Sequence, residues 1–184
     1  MKKTGIIITI LAVFTVLVLT AIMRKEVKAP INTEPMIITS PSFNNGEKIS
    51  QKFTCDGGDI NPELHIQNVP ESAQSLALIM DDPDATRGVT FTHWLVWNIS
   101  PVTALIKQES RPPGSIEGRT DFDRTGYGGP CPPTGKPHRY FFKLYALDGI
   151  LDLPEGSGKA ELESEINKHL IEKWAKLAVN GVVE

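Results

Sequence analysis

The sequence predicts a mainly β domain with one late helix, and three observations carry that prediction. Prolines and glycines punctuate most of the chain after residue 36 and cut it into short strand-sized runs. Three of those runs are apolar or alternating over six to nine residues. Only near the end does the apolar spacing change from two to three and four. The 184 residues are 40% hydrophobic and 22% charged, ordinary for a globular protein with room for one domain and a real core.

The first element is set apart. Thr4 to Met23 is an uncharged, almost wholly aliphatic run between Lys2-Lys3 and the cluster Arg24-Lys25-Glu26-Val27-Lys28. At 1.5 Å per residue such a run matches a bilayer core of about 30 Å. Residues 1–29 are therefore expected to be a signal anchor or a signal peptide, with a transmembrane helix over 4–23 and the domain outside the cytoplasm. Residues 30–35, with Pro30 and Pro35, are expected to be a tether, and 36–184 the domain.

Within the domain, Met36 to Thr39 and Glu63 to Gln67 are short strand candidates. Ser75 to Met80 is a continuous apolar run, as a buried strand requires. Phe91 to Ile99 alternates, with His93, Leu95, Trp97 and Ile99 on one face. Arg139 to Leu147 is rich in aromatic residues. Pro101 to Pro137 reads as a long Gly- and Pro-rich stretch, of the kind that is usually functional or disordered. Leu162, Ile166, Leu170, Ile171, Trp174 and Leu177 then predict an amphipathic helix over about 159–179, closed by Asn180-Gly181.

Charge excludes one class of partner. Residues 1–29 hold five basic side chains and one acidic, so of 19 basic and 22 acidic in all, residues 30–184 hold 14 and 21, a net of −7. An acidic domain has no bulk attraction for nucleic acid. Two cysteines exclude a disulfide-rich scaffold and a multi-cysteine zinc module.

Polar residues concentrate in three segments beside strand ends: Asp81-Asp82-Pro83-Asp84-Ala85, His93, and the loop from Gly126 to Tyr140. His138 and Tyr140 share a face on an extended chain. Taken singly, Asp-Pro-Asp is a turn, His93 a hydrogen-bonded core residue, and the Gly/Pro loop a tight connection. Together they suit three chemistries. His93, His138 and a carboxylate suit a metal, although the spacing matches no compact metal motif. Cys131 beside His138 suits nucleophilic catalysis. Imidazoles, a tyrosine hydroxyl and the N–H groups of Gly128 and Gly129 suit a small anion, which uses most of the residues.

Asp82-Pro83-Asp84-Ala85, Phe91-Thr92-His93-Trp94-Leu95-Val96-Trp97-Asn98, and Gly128-Gly129-Pro130-Cys131-Pro132-Pro133 with His138-Arg139-Tyr140 resemble the phosphatidylethanolamine-binding protein family. Thr54-Cys55-Asp56-Gly57, Pro62 and Asn68-Val69-Pro70 resemble its prokaryotic, Raf-kinase-inhibitor-like branch. The resemblance covers about Met36 to the end. It implies two antiparallel sheets with small peripheral helices. It also implies a small pocket for phosphate-like anions or phospholipid headgroups.

Carried over by position, the ligand-binding residues are Asp82, His93, Gly129, Pro130, His138 and Tyr140, with Asp84 structural. Thr86 and Phe91 depart from the residues usual in the family, and the C-terminal helix from Lys159 departs from the usual end of the prokaryotic branch. Cys55 and Cys131 both lie in motifs that relatives place near the pocket, so two readings stand: a bridge, if the domain is exported, and two free, buried thiols, the one favoured here because similar cysteines occur in cytoplasmic relatives. The resemblance implies a non-enzymatic binding protein with no cofactor and no metal, holding a small anion or headgroup, with a regulatory role. The alternatives are a kinase or protease inhibitor acting through the loops from Arg111 to Arg124, and a hydrolase using Cys131, His138 or a metal.

Overall fold

The computed structural model describes residues 34–133 and 136–181. These belong to the unit that follows Ile31. The described residues form two antiparallel sheets and one α-helix. The strands are β1 (Ile37–Thr39), β2 (Leu64–Gln67), β3 (Ser75–Asp82), β4 (Phe91–Ile99), β5 (Leu105–Ile106), β6 (Ile116–Glu117), β7 (His138–Leu147) and β8 (Leu170–Gly181). The helix α1 spans Lys159–His169. One sheet has the order β1-β2-β5 and the other β6-β4-β3-β7-β8.

The five-stranded sheet is buried on both faces, which explains why β3 reads as an unbroken apolar run. Even-numbered residues of β3 and β7, Leu76, Leu78, Met80, Tyr140, Phe142 and Leu144, join the core shared with Ile38, Leu64, Ile66 and Ile106 of the small sheet. Ala77, Ile79, Leu95 and Trp97 face the other way, onto Leu151 and onto Leu162 and Ile166 of α1. The helix therefore covers the second face of the sheet.

The alternation predicted for Phe91 to Ile99 fails at both ends of β4. Asn98 adopts a left-handed φ of 57° and exchanges two hydrogen bonds with the backbone of Leu151. Ile99 is thereby turned to the core of Trp94 and Val96. At the other end Met80 pairs with Trp94 but Asp81 pairs with Thr92, so His93 is an extra residue, a β-bulge.

Two expectations about the fold are corrected. The helix ends at His169, ten residues before the predicted end, because Leu170 turns extended (φ −65°, ψ 119°). The rest becomes edge strand β8, paired with β7 from Leu170 to Gly181. Ala175, Leu177 and Val179 are buried with a period of two, so the strand signal was present beneath the helical spacing. The N-terminal transmembrane helix is also withdrawn. Among the described residues no helix is long and apolar enough to cross a membrane, and residues 4–23 lie outside them.

Candidate functional site

A cavity of about 130 Å³ opens where β3 ends, β4 begins and β7 begins. Asp82, His93, His138 and Tyr140 line it, together with Ala85, Thr86, Phe91, Phe122, Cys131 and Pro133. Strand parity explains the convergence. Asp82 and Tyr140 lie on the face of the sheet that carries Leu78, Met80 and Phe142, and Asp82 is registered against Phe91. Without the bulge, Trp94 and Phe91 would face opposite sides. The extra residue resets the parity, so Phe91 and His93 turn to the face of Asp82 while Trp94 stays in the core.

The acids are held by short local contacts. Asp82 Oδ2 accepts from His138 Nδ1 at 2.7 Å, with both side chains buried. Asp82 Oδ1 accepts from the Asp84 backbone N–H at 2.8 Å, which fixes the turn through Pro83. Asp84 takes a bidentate pair from Arg139 at 2.7 Å and the Arg139 backbone N–H at 3.0 Å. The hydrogen bond from that guanidinium holds the Asp84 carboxyl at about 2, well below its ordinary value. Asp84 is thus the structural acid expected of it: it clips the end of β3 to the start of β7.

His93 sits among Phe91, Phe122 and Tyr140, with ring centroids 5.1, 5.2 and 5.0 Å away. Its Nδ1 donates to the Gly128 carbonyl at 2.8 Å. Burial lowers its pKa below 6.5, against the raising effects of that carbonyl and of Asp82. The ring is therefore held neutral, and Nε2 keeps its lone pair. The Tyr140 hydroxyl is buried with no hydrogen-bond partner among the described residues. Burial, then the Asp82 charge, raises its pKa, so it remains a donor. The Cys131 N–H approaches that oxygen and favours its charged form without completing a hydrogen bond.

Gly129 and Pro130 do not line the cavity. The Gly129 N–H donates to Asp59 Oδ1 at 2.6 Å, and the Gly128 N–H donates to the His93 carbonyl at 2.9 Å. The two amides proposed as anion donors are therefore engaged within the fold. Their glycines serve close approach instead. A Cβ on Gly129 would stand 2.4 Å from the Phe53 carbonyl oxygen, and one on Gly128 would stand 2.4 Å from the Phe122 ring. Sequence reasoning missed the backbone of Cys131, whose N–H lies beside the Tyr140 hydroxyl at the cavity wall. Its only signal was its place in the same Gly-Gly-Pro-Cys-Pro-Pro run.

Cys131 is joined to Cys55, with Cα atoms 5.4 Å apart, which corrects the expectation of two free thiols. The bridge crosses 76 residues and fits the Cα limit of about 7 Å, a separation no linear reading contains. It ties the cavity wall to the turn Gln51–Phe53, where Cys55 N–H also donates to the Pro130 carbonyl at 3.1 Å. A bridged Cys131 offers no thiolate for nucleophilic catalysis. Among the described residues no group of three or more His, Cys, Asp or Glu could hold a metal ion. The loop arginines are paired within the chain: Arg111 with Glu155, Arg119 with Asp123 and Arg124 with Asp59.

The profile of the phosphatidylethanolamine-binding protein family matches residues 39–181. A UPF0098 protein of Pyrococcus abyssi is 46% identical over 146 residues, which is 76% of this chain and 82% of that protein. One of Aquifex aeolicus is 46% identical over 142 residues, 74% of this chain and 82% of that protein. Among solved structures, a phosphatidylethanolamine-binding protein homologue from Chlamydia trachomatis superposes with a TM-score of 0.77 at 34% identity, over 82% of this chain and 99% of that one. YbcL of E. coli, described as a member of the mammalian PEBP family, superposes with a TM-score of 0.77 at 30% identity, over 82% and 100%.

Proposed function

Because this chain belongs to the phosphatidylethanolamine-binding protein family, a fold that supports small-ligand binding, we propose that its cavity holds the phosphoryl group of a small ligand or lipid headgroup, or a small carboxylate. The ligand is bound and released unchanged, in a regulatory rather than a catalytic role. One observation carries the reading: a buried Tyr140 hydroxyl without a hydrogen-bond partner among the described residues lines the same cavity as the paired Asp82 and His138 and the neutral His93. A buried hydroxyl left unpaired costs about 1–3 kcal/mol, and a phosphoryl oxygen relieves it. The Cys131 N–H beside it supplies a second donor. Charge-assisted bonds of this kind contribute about 1.5–3 kcal/mol each.

The Cys55–Cys131 bridge supports placing the domain in an oxidising, exported compartment. The test of the binding reading is calorimetric titration of the full-length protein with phosphate, phosphoethanolamine and acetate. Binding that is lost in His138→Ala, with the fold retained, supports it. Equal affinity in the two proteins sinks it.

A further inference from the structure

We propose that the cavity selects a phosphomonoester, which carries its own dissociable proton, over a phosphodiester, which has none. This rests on the phosphoryl-binding reading above and names the ligand class within it. The hydrogen-bonding inventory of the cavity wall is the reason. Both imidazoles turn Nδ1 to an acceptor inside the protein: His93 to the Gly128 carbonyl at 2.8 Å and His138 to the Asp82 carboxylate at 2.7 Å. A carbonyl and a carboxylate only accept, so each Nδ1 carries the hydrogen. On the neutral His93 ring the remaining polar atom is Nε2, with a lone pair, on a ring that lines the cavity.

Donors are few. No lysine or arginine lines the cavity among the described residues. The Gly128 and Gly129 N–H groups are engaged elsewhere. The Tyr140 and Thr86 hydroxyls and the Cys131 N–H remain. Such a wall suits an anion that accepts from these few donors and itself donates at least one hydrogen bond. A phosphomonoester monoanion does this: two oxygens face Tyr140 and Cys131, and its P–OH donates to an Nε2. A phosphodiester offers only acceptors and sets a phosphoryl oxygen against an imidazole lone pair. A monoester dianion does the same and adds a second negative charge beside buried Asp82.

The surroundings oppose the alternative, a proton taken up by His93. Asp82 from β3, Asp121 from the loop before Phe122 and Tyr140 from β7 face the His93 ring. The two acids favour its charging, but its burial among three aromatic rings outweighs them. His138 is faced by Asp82 and, from the following turn, by Asp84, whose charge is matched by Arg139.

The test is calorimetry of the full-length protein with phosphoethanolamine, glycerophosphoethanolamine and inorganic phosphate at pH 6 and pH 8. Phosphoethanolamine at pH 6 is expected to bind at least about ten-fold tighter than the glyceryl diester. With a second phosphate pKa near 6, the monoanion falls from about half to about 1% of the ligand by pH 8, so the affinity of phosphoethanolamine should drop roughly 50-fold. Inorganic phosphate is expected to weaken over the same interval. Diester binding as tight as monoester binding, or monoester affinity unchanged between the two pH values, overturns the proposal while leaving the phosphoryl site intact. No binding of any of the three overturns both.

Discussion

The Asp82 carboxylate accepts a 2.7 Å hydrogen bond from His138 Nδ1, joining the last residue of β3 to the first of β7 with both side chains buried. A carboxylate in that place fixes the imidazole as the Nδ1–H tautomer and aims its other nitrogen away from the protein acceptor. Asp82→Asn keeps the shape but offers an amide that is free to donate to the ring and reverse the tautomer. The expected outcome is a phosphate affinity that falls less between pH 6 and pH 8 than in the wild type, measured by calorimetry, with unchanged far-UV circular dichroism. Asp82→Ala is expected to cost about 1–3 kcal/mol of stability as well, since His138 and the Asp84 N–H both lose a partner.

Tyr140→Phe separates binding from folding. The hydroxyl has no partner among the described residues, so its removal should leave stability unchanged or raise it slightly in a denaturant titration. The same change should weaken phosphate binding about ten-fold, because a buried donor is gone. A loss of stability of about 2 kcal/mol or more would mean that the hydroxyl is satisfied within the fold.

The Cys55–Cys131 bridge closes a loop of 76 residues in sequence separation. Chain entropy assigns a closure of that length about 4.5 kcal/mol, of which native-state strain and residual unfolded structure usually leave less. Denaturation in reductant should therefore show a loss of about 2–4 kcal/mol, and thiol titration of the unfolded, unreduced protein should find no free thiol. Reduction should also weaken phosphate binding, because the Cys131 N–H belongs to the wall that the bridge anchors.

Acid should destabilise the domain in part through His93. Its folded pKa lies below 6.5 because it is buried, while the unfolded chain titrates near 6.5. Below pH 6.5 the unfolded state thus binds more protons than the folded state, and stability falls as pH falls toward the folded pKa. In His93→Gln that part of the slope should vanish. Stability measured from pH 7 to pH 5 by urea denaturation should be flatter in the variant than in the wild type.

The cavity was legible where side-chain type and local motif coincide. Asp82, His93, His138 and Tyr140 all line it, and each stands at a strand end that periodicity had located within a residue or two. The misreadings share one physical origin, contacts between distant segments. Gly129 looked like an anion donor, but its amide is taken by Asp59, 70 residues away. Cys55 and Cys131 become partners only once the turn at Gln51–Phe53 meets the loop before β7. The bulge that brings His93 to the face of Asp82 is a property of the β3–β4 register, which a single strand does not encode. The end of α1 was missed because Leu170, Ile171 and Leu177 fit a helix as well as a strand until β7 is there to pair with them.

The most direct test of the account follows the backbone amide and imidazole resonances of the full-length protein during titration with inorganic phosphate. The account predicts that the Cys131 amide and the His93 and His138 rings shift together, with one saturation curve. Shifts centred instead on the loops between Arg111 and Arg124, with those three residues unmoved, would contradict it.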